Sequence, residues 1–152
     1  MAHKVIAKGK DSRGVGRWAW TKYGGANGKT FIVVTVYVPN KPSKVFEGSV
    51  YEQQVRAMAI GNEEPRCPRE VLMEELASQI QQWKEEGNAN VIIMGDWNTD
   101  VQGKKFKDWY GKLGLVDATA NHVAPAVPPP TYDRGRKCID AILATKEIII
   151  KS

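Results

Sequence analysis

The sequence predicts a layered α/β domain with mixed, largely antiparallel β-sheets, and three observations carry that expectation. Two stretches rich in β-branched or aliphatic residues, TFIVVTVYV at 30–38 and NVIIM at 90–94, read as buried strands. Between them lie two segments with apolar residues at helical spacing, which gives a buried strand-helix-strand order. The Asn-Gly pair in YGGANGKT, just ahead of residue 30, is hairpin chemistry and adds antiparallel pairing.

Taken in order, HKVIAK is a short strand and GKDSRG at 9–14 a basic turn bounded by glycines. VGRWAWTKY alternates well enough to form a strand leading into the hairpin. The return strand, 30–38, is apolar at nearly every position and is expected to be buried on both faces; Pro39-Asn40-Lys41-Pro42 ends it. Residues 47–60 turn helical, with Val50, Tyr51, Val55 and Met58 on one face, until GNEEPR breaks the pattern. A second helix is expected from Pro68, a residue favoured in a first turn, with Leu72, Leu76, Ile80 and Trp83 as its apolar stripe. Gly87-Asn88 closes it. After the strand at 90–94, a shorter helix at 103–113 turns Phe106, Trp109, Tyr110 and Leu113 inward. Leu115-Val116-Asp117 begins another extended piece, HVAPAVPPP is a stiff, partly polyproline loop, and TYDRGRKCIDAILATKEIII supplies one or two more strands.

A chain of 152 residues, 42 % hydrophobic and 26 % charged, suits one domain over 1–152. No apolar run approaches the ~20 residues of a membrane span, so no membrane partner is expected. The opening MAHKVIAKGK lacks the apolar core of a secretion signal, which points to an intracellular protein. Cys67 and Cys138 lack metal-type spacing and read as free, partly buried thiols. Net charge is +5, concentrated in residues 1–30, where Lys4, Lys8, Lys10, Arg13, Arg17, Lys22 and Lys29 face one acid, Asp11. Such a surface either attracts a polyanion by counterion release or merely keeps the chain solvated.

Ligands of layered α/β folds gather where strands run out. Three clusters occupy such positions: Tyr37 to Asn40, Gly95-Asp96-Trp97-Asn98, and Thr131-Tyr132 with Arg134, Arg136, Cys138, Ile139 and Asp140. Each has an ordinary reading. Tyr37 can be core with a satisfied hydroxyl, Asn40 a turn former, and Asp96 with Asn98 a capped turn. Arg134 and Arg136 can be an exposed basic loop. Asp140, between Ile139 and Ala141-Ile142-Leu143, is expected to have a partner, since an acid within an apolar strand is unfavourable unless paired.

Together these clusters resemble the endonuclease/exonuclease/phosphatase superfamily, which includes deoxyribonuclease I and the exonuclease-III-type abasic-site endonucleases. TVYVPN is similar to that family's tyrosine strand, GDWN to its GD-aromatic-N signature, and TYDRG with CIDAIL to its late Thr-Tyr and Ile-Asp pair; the matching motifs span about 30 to 145. The CPRE–helix spacing also resembles endonuclease-like domains attached to retrotransposon reverse transcriptases. The resemblance implies a partial deoxyribonuclease I-like sandwich and divalent-metal-dependent phosphodiester hydrolysis, most simply by an endonuclease acting on DNA. It implies that Asp96 orients or deprotonates the attacking water, that Asn98 helps hold that water and the scissile phosphate, and that Tyr37 stabilises a leaving or non-bridging oxygen. Asp140 would orient a histidine. Asn40, Thr131, Arg134 and Arg136 would contact backbone phosphates. Mg²⁺ or Mn²⁺ is the implied cofactor, because hard oxygen ligands prefer hard cations.

Two family features have no counterpart. Neither the early Asn nor the Gln-Glu pair whose glutamate binds the metal precedes residue 30, and Glu47, Glu52, Glu63 and Glu64 follow the tyrosine strand without matching. The closing Ser-Asp-His is also missing; His3 and His122 are the two histidines, and neither matches its position. The domain therefore reads as the middle two-thirds of a family domain. Either it hydrolyses phosphodiesters weakly or with ligands from elsewhere, or it is a catalytically deficient fragment that binds nucleic acid or self-assembles. Because the family sandwich places its terminal strands inside two packed sheets, their loss would expose edges and apolar faces. A two-fold dimer, or a partner supplying the missing strands, is the expected repair.

Overall fold

A computed structural model describes residues 4–25, 28–43, 48–60, 66–87, 90–122, 130–131 and 135–149. β1 (Lys4–Lys10) pairs antiparallel with β2 (Trp18–Gly24), and β2 with β3 (Thr30–Tyr37), so the hairpin forms as the sequence predicts. Asn27 of its turn lies outside the described residues. β3 then runs parallel to β4 (Val91–Asp96). A parallel pair needs a long crossover, supplied here by α1 (Val50–Ala59) and α2 (Pro68–Glu85). Beyond β4 come α3 (Lys104–Lys112), β5 (Leu115–Asp117), α4 (Ala118–His122), β6 (Asp140–Thr145) and α5 (Lys146–Ile149). The six strands form one sheet in the order β1-β2-β3-β4-β6-β5, parallel at β3–β4 and antiparallel at every other pairing.

The core lies on one face of that sheet. α2 begins at Pro68 and buries Leu72, Leu76, Ile80 and Trp83, the stripe its spacing predicts. Opposite them stand Trp18, Ile32, Val34 and Ile93, all in one apolar cluster. Burying each aliphatic side chain of that stripe contributes roughly 1.5–3 kcal/mol, and the Trp83 ring packs edge-on against Trp18 and Trp20 at 6.3 and 5.4 Å. Asp11, Arg17 and Glu75 tie the β1–β2 turn to α2: the Arg17 guanidinium donates to both carboxylates, and Arg13 donates to Glu75 at 2.6 Å. Arg17 is 1 % exposed, so one of the seven early cations is an internal strut and not part of a basic surface.

Several expectations change. β3 is buried on one face alone: Ile32, Val34 and Val36 are covered, whereas Thr35 and Tyr37 are exposed and Val33 is half-buried. The physical reason is that α2 and α3 pack on the Ile32 side. α1 starts at Val50 behind a Ser49 cap and buries Tyr51, Gln54 and Met58; Val50 is 42 % exposed and Val55 partly so. Tyr51 and Met58, two turns apart, set the buried stripe, and Gln54 falls between them. β4 is longer than predicted because Gly95 and Asp96 continue its pairing on both sides. The last segment gives one strand and a short helix, and residues 118–122 are helical. Asp140 is exposed at the first position of β6, so the argument that burial obliges it to pair does not apply.

Candidate active site

Three of the sequence candidates converge by strand register. Tyr37 pairs with Asp96 across β3–β4, and Asp96 with Asp140 across β4–β6. Residues directly opposite on adjacent strands project from the same face with Cα atoms ~4.5–5.5 Å apart. The row Tyr37–Asp96–Asp140 therefore lies at one end of the sheet, on the face away from α2.

GDWN builds the centre of this row, and each of its residues has a distinct task. Gly95 sits against the backbone of β3: a Cβ there would lie 2.7 Å from the Val36 carbonyl carbon and closer still to its oxygen. A glycine within a strand is the sequence signal for such an approach. Trp97 turns the other way and is fully buried, its ring against Phe106 and Trp109 at 4.9 and 5.5 Å. Its backbone N–H donates to Ile139 O and its indole N–H to Ala141 O. Asn98 takes a left-handed backbone with φ 45°, which Asn tolerates better than most residues. Its N–H donates to Asp96 Oδ1 at 2.9 Å, and its amide nitrogen donates to Asp96 Oδ2 at 3.1 Å and Val38 O at 2.8 Å. The capped turn is real, and it leaves the Asp96 carboxylate fixed in orientation.

Burial is the main reason that the Asp96 pKa stands above its ordinary value of 3.8; the charge of Asp140 pushes the same way, and the Asn98 hydrogen bonds and the Arg69 charge oppose. Two carboxylates that repel one another suit a hard cation, and Mg²⁺ is commonly held by one or two carboxylates with phosphate and water completing the shell. No third Asp, Glu, His or Cys joins them among the described residues. The two carboxylates would suit an ion held only partly by the protein.

The other candidates are scattered. Thr131 Oγ1 accepts from the backbone N–H groups of Ile139 and Asp140 at 2.9 and 3.1 Å, which fixes the entry to β6. Asn40 and Arg136 are exposed, and Arg134 lies outside the described residues. The same holds for His3 and for the side chain of His122. Arg69 was not singled out from the sequence. It follows the Pro68 helix start, donates to Trp97 O at 3.5 Å, and lines a cleft of about 450 Å³ with Val38, Trp97, Thr99 and Lys105. Its signal was available: a basic residue in the first turn of the helix that crosses over into β4.

No family model matches the chain, and no curated protein matches it. Solved structures do. The human Nocturnin catalytic domain with bound sulfate is similar over 95 % of this chain and 48 % of its own, at TM-score 0.61 and 13 % identity. The 3′ phosphatase NExo from Neisseria, bound to a product DNA hairpin, matches 97 % of this chain and 61 % of its own, at TM-score 0.54 and 13 % identity. The chain shares the fold of these structures. A mannosyl-6-phosphatase from Bacteroides thetaiotaomicron matches 95 % of this chain and 53 % of its own, at TM-score 0.53 and 13 % identity. The chain thus spans about half the length of these structures. This fold is built here as a single mixed sheet among the described residues. No helix among them is long and apolar enough to cross a membrane.

Proposed function

We propose that this chain hydrolyses phosphodiester bonds, with DNA as substrate and Mg²⁺ or Mn²⁺ as cofactor. The observation that carries the reading is the row Tyr37–Asp96–Asp140, three polar side chains in register on adjacent strands at the end of a sheet of this fold. Hydrolysis needs an activated water, an in-line approach and neutralisation of the developing charge. Asp96, with a raised pKa and both oxygens oriented by Asn98, is suited to take the proton of the attacking water. Both N–H groups of the Asn98 amide are engaged, which leaves its Oδ1 to accept from that water. The hydroxyl of Tyr37, a residue 39 % exposed, would donate to a non-bridging or leaving oxygen. When bound beside Asp96 and Asp140, the metal ion would supply Lewis-acid stabilisation of the phosphate charge. Substrate phosphates would meet Asn40 and Arg136 on the surrounding loops, together with Thr131 and Arg134.

The test is cleavage of supercoiled plasmid and of an abasic-site duplex with Mg²⁺, Mn²⁺ or EDTA. Metal-dependent nicking that disappears in Asp96→Ala is the expected result. Nicking unchanged in that variant overturns the assignment. Salt-sensitive DNA binding without cleavage under any metal favours the alternative, a catalytically deficient nucleic-acid-binding domain.

A further inference from the structure

The face of the sheet away from α2 carries apolar residues that the described elements leave partly uncovered, although Ala144 in the same rows is buried. Register places Val33 beside Ile92 in one cross-strand row, and Thr35, Met94 and Ile142 in the next. Ile142 is 43 % exposed, and Val33, Ile92 and Met94 are covered in part. One flank of this face is cationic. Lys10 lies in the row of Ala19 and Thr35, Lys8 in the row of Thr21 and Val33, and both are exposed on the edge strand β1. The opposite flank holds Asp140.

We infer that this face is the interface of a two-fold dimer of the chain, with the symmetry axis running along the strands. Charge selects both the occupant and the orientation. An axis along the strands reverses the strand order of the second sheet, so β1 of one copy lies over the β6 flank of the other. Lys10 of the partner subunit then lies over Ile142, one residue pair from Asp140, and Lys8 of the partner subunit over Ala144. An axis across the strands would instead set β1 over β1, lysine against lysine. Two sheets stacked face to face at ~10 Å with aligned strands are a standard packing. Six strands ~4.8 Å apart and about six residues long give roughly 600 Å² per copy. About 1,200 Å² in all is at the lower edge of specific interfaces, so a dimer of micromolar affinity is expected. On the hydrolase reading above, each copy also brings one cation, Lys10, near the phosphate-binding end of the other, and dimerisation itself is measured without reference to activity.

The test is sedimentation of the chain from about 1 to 100 μM, the range such an interface predicts. Concentration-dependent dimerisation is expected, with loss of the dimer in a Met94→Lys, Ile142→Lys double variant. A wild-type chain that stays monomeric throughout, or a dimer unaffected by that variant, overturns the inference. Lys8→Glu with Lys10→Glu, on an exposed edge that does not endanger folding, should weaken the dimer about tenfold or more at low salt. Orientation is read by oxidation of single cysteines in a Cys67→Ser, Cys138→Ala background. Thr35→Cys, near the axis, should cross-link to its own copy and Lys10→Cys should not. Because the two positions share one row, an axis across the strands would cross-link both or neither, and either result overturns the proposed axis. A dimer without metal-dependent cleavage would defeat the hydrolase reading and leave the interface standing.

Discussion

Replacing Gly95 by alanine should unfold this protein far more readily than a one-carbon change suggests. The new β-carbon would stand 2.7 Å from the Val36 carbonyl carbon and 3.0 Å from the Val36 nitrogen, with the oxygen nearer still. Carbon atoms rest at ~3.5–4.0 Å, so β3 and β4 must part locally by about 1 Å. Neither strand can yield outwards, because β2 and β6 flank them. A shift of that size takes about two ladder hydrogen bonds beyond their working distance, at ~1 kcal/mol each. Overpacking adds about 1–3 kcal/mol. The total of roughly 3–5 kcal/mol is a large share of the ~5–15 kcal/mol that holds a domain together. For a chain of this size that corresponds to a fall in Tm of about 6–20 °C. Thermal and urea unfolding followed by circular dichroism would measure it. A variant melting within about 2 °C of the parent would refute the close approach and the account of why glycine precedes Asp96.

The remaining predictions address charge and reactivity. Asp140→Asn removes a charge that helps to hold the Asp96 pKa up, so the acid limb of the cleavage pH profile should move to lower pH, as well as activity falling. Ionisation of Asp96 opposes folding for the same reason: its contribution is fully favourable below 3.8 and is lost as pH rises through the raised value. Asp96→Asn should therefore lose activity by about 10²–10⁴-fold and yet melt no lower than the parent at neutral pH. Glu75→Ala leaves Arg17 buried with one carboxylate and should destabilise by about 3–5 kcal/mol in urea titrations. Burial by itself would raise the Asp11 pKa, but the backbone and guanidinium of Arg17 outweigh it and hold it below 3.8. That stabilisation is present above 3.8 and disappears as pH falls through the lowered value, so Asp11→Asn should flatten the acid unfolding curve. With iodoacetamide, Cys67 should react ahead of Cys138. Burial acts against both thiols, but at Cys67 the Tyr51 hydroxyl and the N–H groups of the first turn of α2 reverse it, whereas Cys138 stays raised and buried.

Where a local pattern determined the structure, the sequence was readable. α2 follows from Pro68 and four apolar residues at helical spacing, and its stripe is buried as that spacing requires. The strand ending at GDWN and the tyrosine strand were legible as chemistry because each stops on polar residues. What failed was any feature decided by how layers are distributed. A run such as FIVVTVYV looks alike whether one face or two are covered, and only the placement of the helices makes Val33 and Thr35 outward-facing. Arg17 read as one cation among seven because its partners, Asp11 and Glu75, meet it through tertiary packing. Gln54 replaced Val55 in the α1 stripe because Tyr51 and Met58 fixed the rotation of that helix.

The row Tyr37–Asp96–Asp140 also has a kinetic meaning. Its members come from three distant segments, joined by the parallel β3–β4 pairing and by β6, which inserts between β4 and β5. Contacts of such long sequence separation close late and slowly, since loop entropy must be overcome before pairing rewards it. In refolding from denaturant, helix signal from α2 should return first, and any chemistry of the row only in the final phase. No hairpin or helical fragment of the chain can carry it. Catalysis by this row would thus report the completed sheet and would be silent about every partly folded species before it.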